Sequence, residues 1–237
     1  MELLNRRREM GKHDKCPYVS DGLLLWYDSI WNNGIGKHSD SGVVWKELMN
    51  TGYDFLSENW TSGVEYLNGD MSYYISGAGQ SNRGLIINNV NLSDMFIGKD
   101  TFTLEVITKN TTYCEYVFDL GGIQLNIGSG NNYIQSPFLL HWYRTSAGGA
   151  VRNTRYSVGS TIRNNLYKII YNNNVYETDI YRLNGQHSFT SSIYFRIGWG
   201  DAGTKQLYIY SVRLYDHSLT DNEINQNFLI DKQRFNL

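Results

Sequence analysis

The acidic residues of this sequence bear first on whether it performs hydrolytic chemistry. Glycosidases need two facing carboxyl groups, one of which has a raised pKa. The nearest candidate pair is Glu115 and Asp119, which lie four residues apart in one predicted strand, about 13 Å from each other at strand rise. That separation is too long for either glycosidase geometry, and no nucleophile-elbow, zinc-protease or paired-cysteine motif occurs. The sequence therefore predicts a protein that is not an enzyme.

A loop rich in glycine and asparagine contains the strongest candidate for a metal site. Asp28, Asn32, Asn33 and Asp40 could place oxygen atoms around a Ca²⁺ ion, which prefers carboxylate and carbonyl ligands. Their spacing matches no fixed calcium-loop motif, and Asx residues in such loops often only form turns. We therefore hold two interpretations of this loop, calcium binding and turn formation, with no other cofactor expected.

Aromatic residues beside polar ones suggest sugar binding. A sugar site needs flat aromatic faces for the ring and Asn, Asp or Arg side chains for the hydroxyl groups, usually on loops over a rigid sheet. The alternative for any single tryptophan is packing in the core. The predicted ligand-binding residues are Trp142, Tyr143, Arg144, Trp199, Asp201 and Trp31.

The first fifteen residues differ in character from the rest of the chain. They carry five basic and three acidic side chains, a local charge of +2, and have little apolar content. The run Arg6, Arg7 and Arg8 could anchor the chain to a partner, or the segment could pack on its own domain. The segment also lacks the apolar core of a signal peptide, so Sec export is not expected.

Most of the chain is predicted to form strands, because short apolar runs recur with turn residues about every ten positions. Two hairpins are predicted, Tyr116–Leu120 with Ile123–Ile127 around two glycines, and Leu166–Tyr171 with Val175–Leu183 around three asparagines.

Near the end of the chain, Leu207–Tyr215 alternates as a strand, with Tyr208, Tyr210, Val212 and Leu214 on one face. Thr220 and Glu223 then form a capping box that predicts a short helix, with Leu219 and Ile224 placed for a hydrophobic staple. Ile224, Phe228 and Leu229 give this helix a short apolar stripe. This pattern predicts an all-β, two-sheet antiparallel sandwich with a short C-terminal helix.

The composition limits the kinds of partner that the chain is expected to bind. The 237 residues carry a net charge of −2, which gives no electrostatic basis for binding nucleic acid. No apolar run reaches the length needed to span a membrane. Two cysteines do not make a disulfide framework. We predict an N-terminal arm over residues 1–20 and one sandwich domain over residues 21–237.

Several segments, in this order, resemble a known family. These are GLLLWYD with the Gly/Asn-rich loop after it, GVEYLNGDMSYYIS, TFTLEVITK, the Asn184-Gly185 turn and the closing YIYSVRLYDHSLTDNEINQNFLIDKQRF. Together they resemble laminin G-like (concanavalin A-like) jelly-roll domains, and more narrowly those of bacterial surface proteins and of phages of gut bacteria.

The resemblance implies a concanavalin A-like jelly roll and a role in attachment. We expect a non-catalytic phage virion surface protein, a head decoration, head fibre or tail-associated subunit, that binds host-surface glycans. The arm would bind other virion proteins, and the chain could form homo-oligomers. The alternative is a carbohydrate-binding or adhesion module at a bacterial cell surface, which would place the protein outside the cell.

Overall fold

The chain folds into strands joined by short connections and closes with a helix. The computed structural model describes residues 16–40, 44–57, 64–78, 84–90, 102–110, 114–120, 123–127, 132–135, 143–145, 155–163, 166–171, 174–179, 193–198, 205–217 and 219–236. Within these ranges no helix has the length and apolar character needed to cross a membrane.

Sixteen strands and one α-helix are found in the described ranges. The strands are β1 Leu23–Asp28, β2 Val44–Trp45, β3 Phe55–Ser57, β4 Val64–Leu67, β5 Ser72–Ala78, β6 Leu85–Val90, β7 Phe102–Asn110, β8 Cys114–Leu120, β9 Ile123–Ile127, β10 Asn132–Gln135, β11 Tyr143–Thr145, β12 Arg155–Arg163, β13 Leu166–Tyr171, β14 Asn174–Asp179, β15 Ile193–Ile197 and β16 Lys205–Tyr215. The helix α1 spans Asp221–Phe235, and a 3₁₀ turn occupies Asn68–Asp70.

The strands form two eight-stranded sheets in which every pairing is antiparallel. Sheet 1 has the order β14-β13-β12-β7-β16-β5-β4, and β1 pairs with the second half of β16 beside β5. Sheet 2 has the order β11-β10-β9-β8-β15-β6-β3-β2. The predicted hairpins β8–β9 and β13–β14 are both present. The all-β, two-sheet fold class predicted from the sequence is therefore confirmed.

The core between the sheets is built on aromatic rings from both of them. Tyr27 and Tyr73 come from sheet 1, whereas Trp45, Phe55 and Phe195 come from sheet 2, and all five are fully buried. Ring centroids lie 4.4 Å apart for Tyr27 and Phe55, and 4.7 Å apart for Trp45 and Tyr73. Burying such rings supplies a large share of the hydrophobic driving force, so this cluster holds the two sheets together.

Helix α1 begins as the sequence predicts. The Thr220 hydroxyl accepts a hydrogen bond from the Glu223 backbone N–H, and the Glu223 carboxylate accepts one from the Thr220 N–H at 2.7 Å. Leu219 and Ile224 on either side of the cap are both buried in one cluster, as a hydrophobic staple requires. The capping box and the staple are confirmed.

The buried face of α1 differs from the predicted one. Of the predicted stripe Ile224, Phe228 and Leu229, Ile224 is buried as expected, whereas Leu229 is 56% exposed. The residues buried on α1 are Ile224, Asn227, Asp231 and Phe235. Asn227 and Asp231 can be buried although they are polar, because charged groups on sheet 1 and polar groups of residues 16–20 lie beneath them and bond to them.

A β-bulge in β16 changes which side chains face the sandwich core. Ile209 pairs with Thr108 and Ser211 pairs with Ile107, so the strand gains one residue at Tyr210. Tyr210 therefore packs on Phe235 of α1, whereas Val212 lies beside Val106. The strict alternation read from the sequence, with Tyr210 and Val212 on one face, is wrong at this point.

Candidate functional site

The predicted site residues fall into three groups. Arg6, Arg7, Arg8, Trp142, Trp199 and Asp201 lie outside the described residues, so their roles stay predictions. Tyr143 and Arg144 begin β11, the outermost strand of sheet 2, where they pair in register with Ile134 and Tyr133 of β10. The remaining candidates all lie in one loop, residues 28–40, which we call the edge loop.

Asp28 at the start of the edge loop is fully buried and bonded through both oxygens. Its Oδ1 accepts hydrogen bonds from the N–H groups of Ile30 and Trp31 at 2.9 and 3.1 Å. Its Oδ2 accepts a hydrogen bond from Nε of Arg234, near the end of α1, at 3.0 Å. Burial raises the pKa of Asp28, and Arg234 partly offsets that rise. Asp28 thus ties the loop to the helix.

Asn32 closes the edge loop. Its carboxamide accepts a hydrogen bond from the Ser39 N–H and donates one to the Ser39 carbonyl, both at 2.8 Å. Asn33 is exposed, and Asp40 bonds His38. Among the described residues, no group of three or more His, Cys, Asp or Glu side chains is arranged to hold a metal ion. A calcium site on Asp28, Asn32, Asn33 and Asp40 stays a prediction, while the bonds observed are those of a closed turn.

Trp31 is only partly exposed, and it packs against charged and aromatic neighbours. The Arg234 guanidinium lies over its ring, 4.4 Å from the centroid, and the Trp26 ring is 5.8 Å away. One face of Trp31 is therefore occupied by a cation–π contact. The same arginine holds Trp31 and Asp28, so α1 fixes the position of the edge loop.

The edge loop brings three further side chains together at the rim of the sandwich. The His38 ring lies 4.5 Å from the Tyr66 ring, on strand β4 at the edge of sheet 1, and 2.8 Å separates His38 Nε2 from Asp40 Oδ1. We call His38, Asp40 and Tyr66 the rim cluster. Side-chain exposure is 31% for His38 and 66% for Asp40. The cluster thus offers solvent two rings in contact, tilted by 56° to each other, beside a carboxylate.

Hydrogen bonding fixes the His38 ring in place. Its Nδ1 lies 3.0 Å from the Ile30 carbonyl, which can only accept a hydrogen bond, so Nδ1 carries hydrogen in this arrangement. Nε2 faces the Asp40 carboxylate on the opposite side. Burial, followed by the negative charges of Asp40 and Asp28, raises the pKa of Tyr66 to about 12. Tyr66 therefore stays a neutral phenol and can donate a hydrogen bond.

Sequence reasoning did not select Tyr66 or His38. The only local signal was the His-x-Asp spacing of His38 and Asp40, which is common by chance. The contact with Tyr66 depends on how a closed loop lies against strand β4, twenty-eight residues further along the chain.

A buried ionic network beneath α1 was also missed. Nε of Arg213 donates to Glu105 at 2.9 Å, and its two terminal nitrogens donate to the Asp231 carboxylate at 2.7 and 2.6 Å. The Tyr18 hydroxyl donates to Asp231 at 2.8 Å, and the Val19 N–H donates to Asn227 at 3.0 Å. Residues 16–20, which we call the arm root, are thereby fastened to the helix.

The buried carboxylates of the described residues are all engaged within the fold. Asp28 is held by Arg234, Glu105 and Asp231 by Arg213, and Glu47 by three backbone N–H groups and the Thr51 hydroxyl. Burial raises the pKa of both Glu47 and Glu105, and the hydrogen bonds to each carboxyl partly offset that rise. The arrangement of the described residues suits binding at the rim, with the buried acids holding the scaffold.

Comparison with known proteins shows which solved structures share this fold. No family model matches the chain, and no curated protein matches it. The chain is similar to Trypanosoma rangeli sialidase in complex with sialic acid, at 13% identity and a TM-score of 0.64 over 98% of this chain and 38% of that one. It is also similar to a structure of botulinum neurotoxin type C, whose cell entry depends on interaction with two ganglioside molecules. That match has 13% identity, a TM-score of 0.62, and covers 88% of this chain and 51% of that one.

A third similar structure is the binding domain of botulinum neurotoxin DC in complex with rat synaptotagmin II. It has 14% identity and a TM-score of 0.62, and the likeness covers 88% of this chain and 51% of that one. The chain thus spans about two fifths of the sialidase and half of the toxin chains it matches. At these identities the likeness shows a shared β-sandwich fold.

Proposed function

We propose that this protein is a non-catalytic attachment protein that binds glycans at the rim of its sandwich. The observation that carries the proposal is the rim cluster, in which the Tyr66 and His38 rings are in contact beside the exposed Asp40 carboxylate. Sugar recognition needs an apolar ring face together with polar groups that fix orientation. The rim cluster offers an aromatic ring and polar groups. The loop that carries His38 and Asp40 is held in place by Asn32, Asp28 and Arg234.

The rigidity of the edge loop favours binding. A loop that is already ordered loses less conformational entropy when it meets a ligand. Here both ends of the loop are fastened, at Asp28 to α1 and at Asn32 to Ser39. The ganglioside interaction of the similar toxin and the sialic acid complex of the similar sialidase support a glycan as the ligand.

We propose more specifically that the chain is a virion surface protein of a gut-bacterial phage, with a laminin G-like sandwich. It rests on the sequence resemblance and on the basic run Arg6, Arg7 and Arg8, which we propose as the anchor to other virion proteins. Trp142, Tyr143, Arg144, Trp199 and Asp201 remain proposed as further ligand contacts. The alternative is a carbohydrate-binding module at a bacterial cell surface, and particle incorporation distinguishes the two.

A glycan array tests the proposal. The full chain is screened with sialylated and neutral glycans, and the best hit is measured again with Tyr66→Ala. Loss of the ring should weaken binding by about tenfold, which corresponds to about 1.4 kcal/mol. Tyr74→Ala is the matched control, because it removes a partly exposed tyrosine from the neighbouring strand β5 and should leave affinity unchanged. No binding to any glycan, or equal losses in both variants, would reject the proposal.

Calcium is tested in the same experiment. The array is run with calcium and with a chelator, and calorimetry follows calcium binding to the full chain and to Asp40→Asn. If Asp28, Asn32, Asn33 and Asp40 hold calcium, the chain should release heat on titration and Asp40→Asn should reduce it. If they only close the turn, the chelator should change neither folding nor binding.

A further inference from the structure

A second surface feature lies on the outer face of sheet 1, away from the rim cluster. Tyr74 of β5 pairs in register with Tyr208 of β16, and their rings lie 4.9 Å apart. Glu65 of β4 is the register partner of Tyr74 on its other side and is exposed. We call Glu65, Asp70, Tyr74 and Tyr208 the acidic–aromatic patch.

The carboxylates of this patch lie close enough to its aromatic rings to influence them electrostatically. Asp70 accepts a hydrogen bond from the hydroxyl of the adjacent Tyr210 at 2.9 Å, which orients its carboxylate towards the same face. The pKa of Tyr208 is raised by burial first, and then by Tyr74, Asp70 and Glu65. Rings beside carboxylates attract cations, through the negative ring face and through direct charge, and guanidinium groups satisfy both. On β7, the register partner of Tyr208 is Lys109.

The chain itself contains a cationic segment, the run Arg6 to Arg8, which leads into the arm root. The arm root is fastened to α1 where Tyr18 bonds Asp231, and four residues later Phe235 packs on Tyr210 at 5.6 Å. Four helical residues cover about 6 Å, and the two strand residues from Tyr210 to Tyr208 add about 7 Å.

The arm is long enough to cover this distance. The eight residues from Arg8 to Cys16 can span about 26 Å when extended, which exceeds the roughly 19 Å that the helix span, the Phe235–Tyr210 ring contact and the strand span make together. A tethered segment within reach of its site has an effective concentration on the order of millimolar, so modest contacts suffice for binding.

We propose that the acidic–aromatic patch binds the arginine run Arg6, Arg7 and Arg8 of the same chain. The guanidinium groups stack on Tyr74 and Tyr208 and pair with Glu65. The inference shares the arm with the anchoring proposed above but does not depend on glycan binding. It also defines the chemistry of a partner that could take the arm over, namely a surface that offers carboxylates beside aromatic rings.

Photo-crosslinking in the full chain tests the inference. Leu4 is replaced by p-benzoylphenylalanine, the protein is irradiated, and crosslinked peptides from the monomer band are identified by mass spectrometry. The expected crosslinks join the arm to peptides that carry Tyr74 or Tyr208. Glu65→Lys should lower their yield roughly threefold, as for loss of one exposed ion pair with its ring contact. The exchange Arg7→Glu in the same chain should restore part of it.

Matched controls keep the test specific. Asp21→Lys makes the same charge change at an exposed turn outside the patch and should leave the yield unchanged. Tyr66→Ala should also leave it unchanged, so failure of the glycan proposal can be told apart from failure of this one. The yield should fall as salt is raised, because exposed charges are screened. Crosslinks to other surfaces, crosslinks between two chains, or a yield indifferent to Glu65→Lys would overturn the inference.

Discussion

Replacing Arg213 by methionine should destabilise the fold more than any surface substitution. In the native chain the buried guanidinium donates to Glu105 and to both oxygens of Asp231, and it lies 4.0 Å from the centroid of the Tyr18 ring. Methionine fills much of the volume but leaves two carboxylates buried without a cation. Removing one partner of a buried ion pair costs about 3–5 kcal/mol. We expect a loss of about 4 kcal/mol in the free energy of unfolding.

The loss should also depend on pH, with a sign set by Glu105. Burial raises the pKa of Glu105, the nearby Asp231 raises it further, and Arg213 lowers it. A carboxyl whose folded pKa lies above its unfolded value of 4.5 stabilises the fold below that value, and the contribution is lost as pH rises through the folded pKa. Arg213→Met removes the opposing charge and so raises the folded pKa. The destabilisation should therefore be larger at pH 7 than at pH 4.5.

Urea unfolding followed by tryptophan fluorescence at the two pH values measures this effect. Arg234→Met is the matched control, because the Arg234 side chain is partly exposed and bonds one carboxylate, so its loss should be smaller. The triple variant Arg213→Met, Glu105→Gln, Asp231→Asn should recover part of the stability, since no buried charge remains. A loss below about 1 kcal/mol for Arg213→Met, or a loss that grows on acidification, would refute the role given to this network.

Three further substitutions test the scaffold. Thr220→Ala removes half of the capping box and should cost about 1 kcal/mol in urea unfolding, whereas Asn222→Ala on the exposed helix surface should cost little; equal costs would contradict the cap. Gly84→Ala should lower the melting temperature, because φ is +141° and the new Cβ would lie 2.4 Å from the Ile197 carbonyl oxygen; an unchanged melting temperature would contradict that close approach. Asn227→Leu removes the acceptor of the Val19 N–H and should speed proteolytic cleavage of the arm root, and an unchanged cleavage rate would show that this bond does not hold it.

Local sequence signals predicted the local structure well. The capping box at Thr220 and Glu223 involves residues three positions apart, so its chemistry is contained in the sequence itself. The same holds for the hairpins, whose turn residues lie between the paired strands. Period-two alternation failed where β16 bulges at Tyr210, because a bulge adds a residue that the pattern does not mark.

The polar interior could not be predicted, because its partners are distant in sequence. Asn227 and Asp231 on a helix normally face solvent, and they are buried here only because Arg213, Glu105 and Tyr18 meet them from other elements. Tyr18 and Asp231 are 213 residues apart. The role of Asp28 was ambiguous for the same reason. A carboxylate in a Gly/Asn-rich loop suits calcium, but its actual partner is Arg234, 206 positions away.

The candidate site was predicted in part. The edge loop was selected as a functional element from its composition, and the structure places it at the rim of the sandwich against strand β4. Tyr66 could not be selected, since nothing in its own strand distinguishes it from the eighteen other tyrosines of the chain.

A titration of the isotope-labelled full chain with the best array hit tests whether glycans bind at the rim cluster. Amide chemical-shift changes should concentrate at His38 to Asp40 and at Tyr66, and saturate with the affinity measured for the same glycan. Saturable changes at Tyr143 and Arg144 or on the acidic–aromatic patch, with the edge loop unchanged, would contradict binding at the rim cluster.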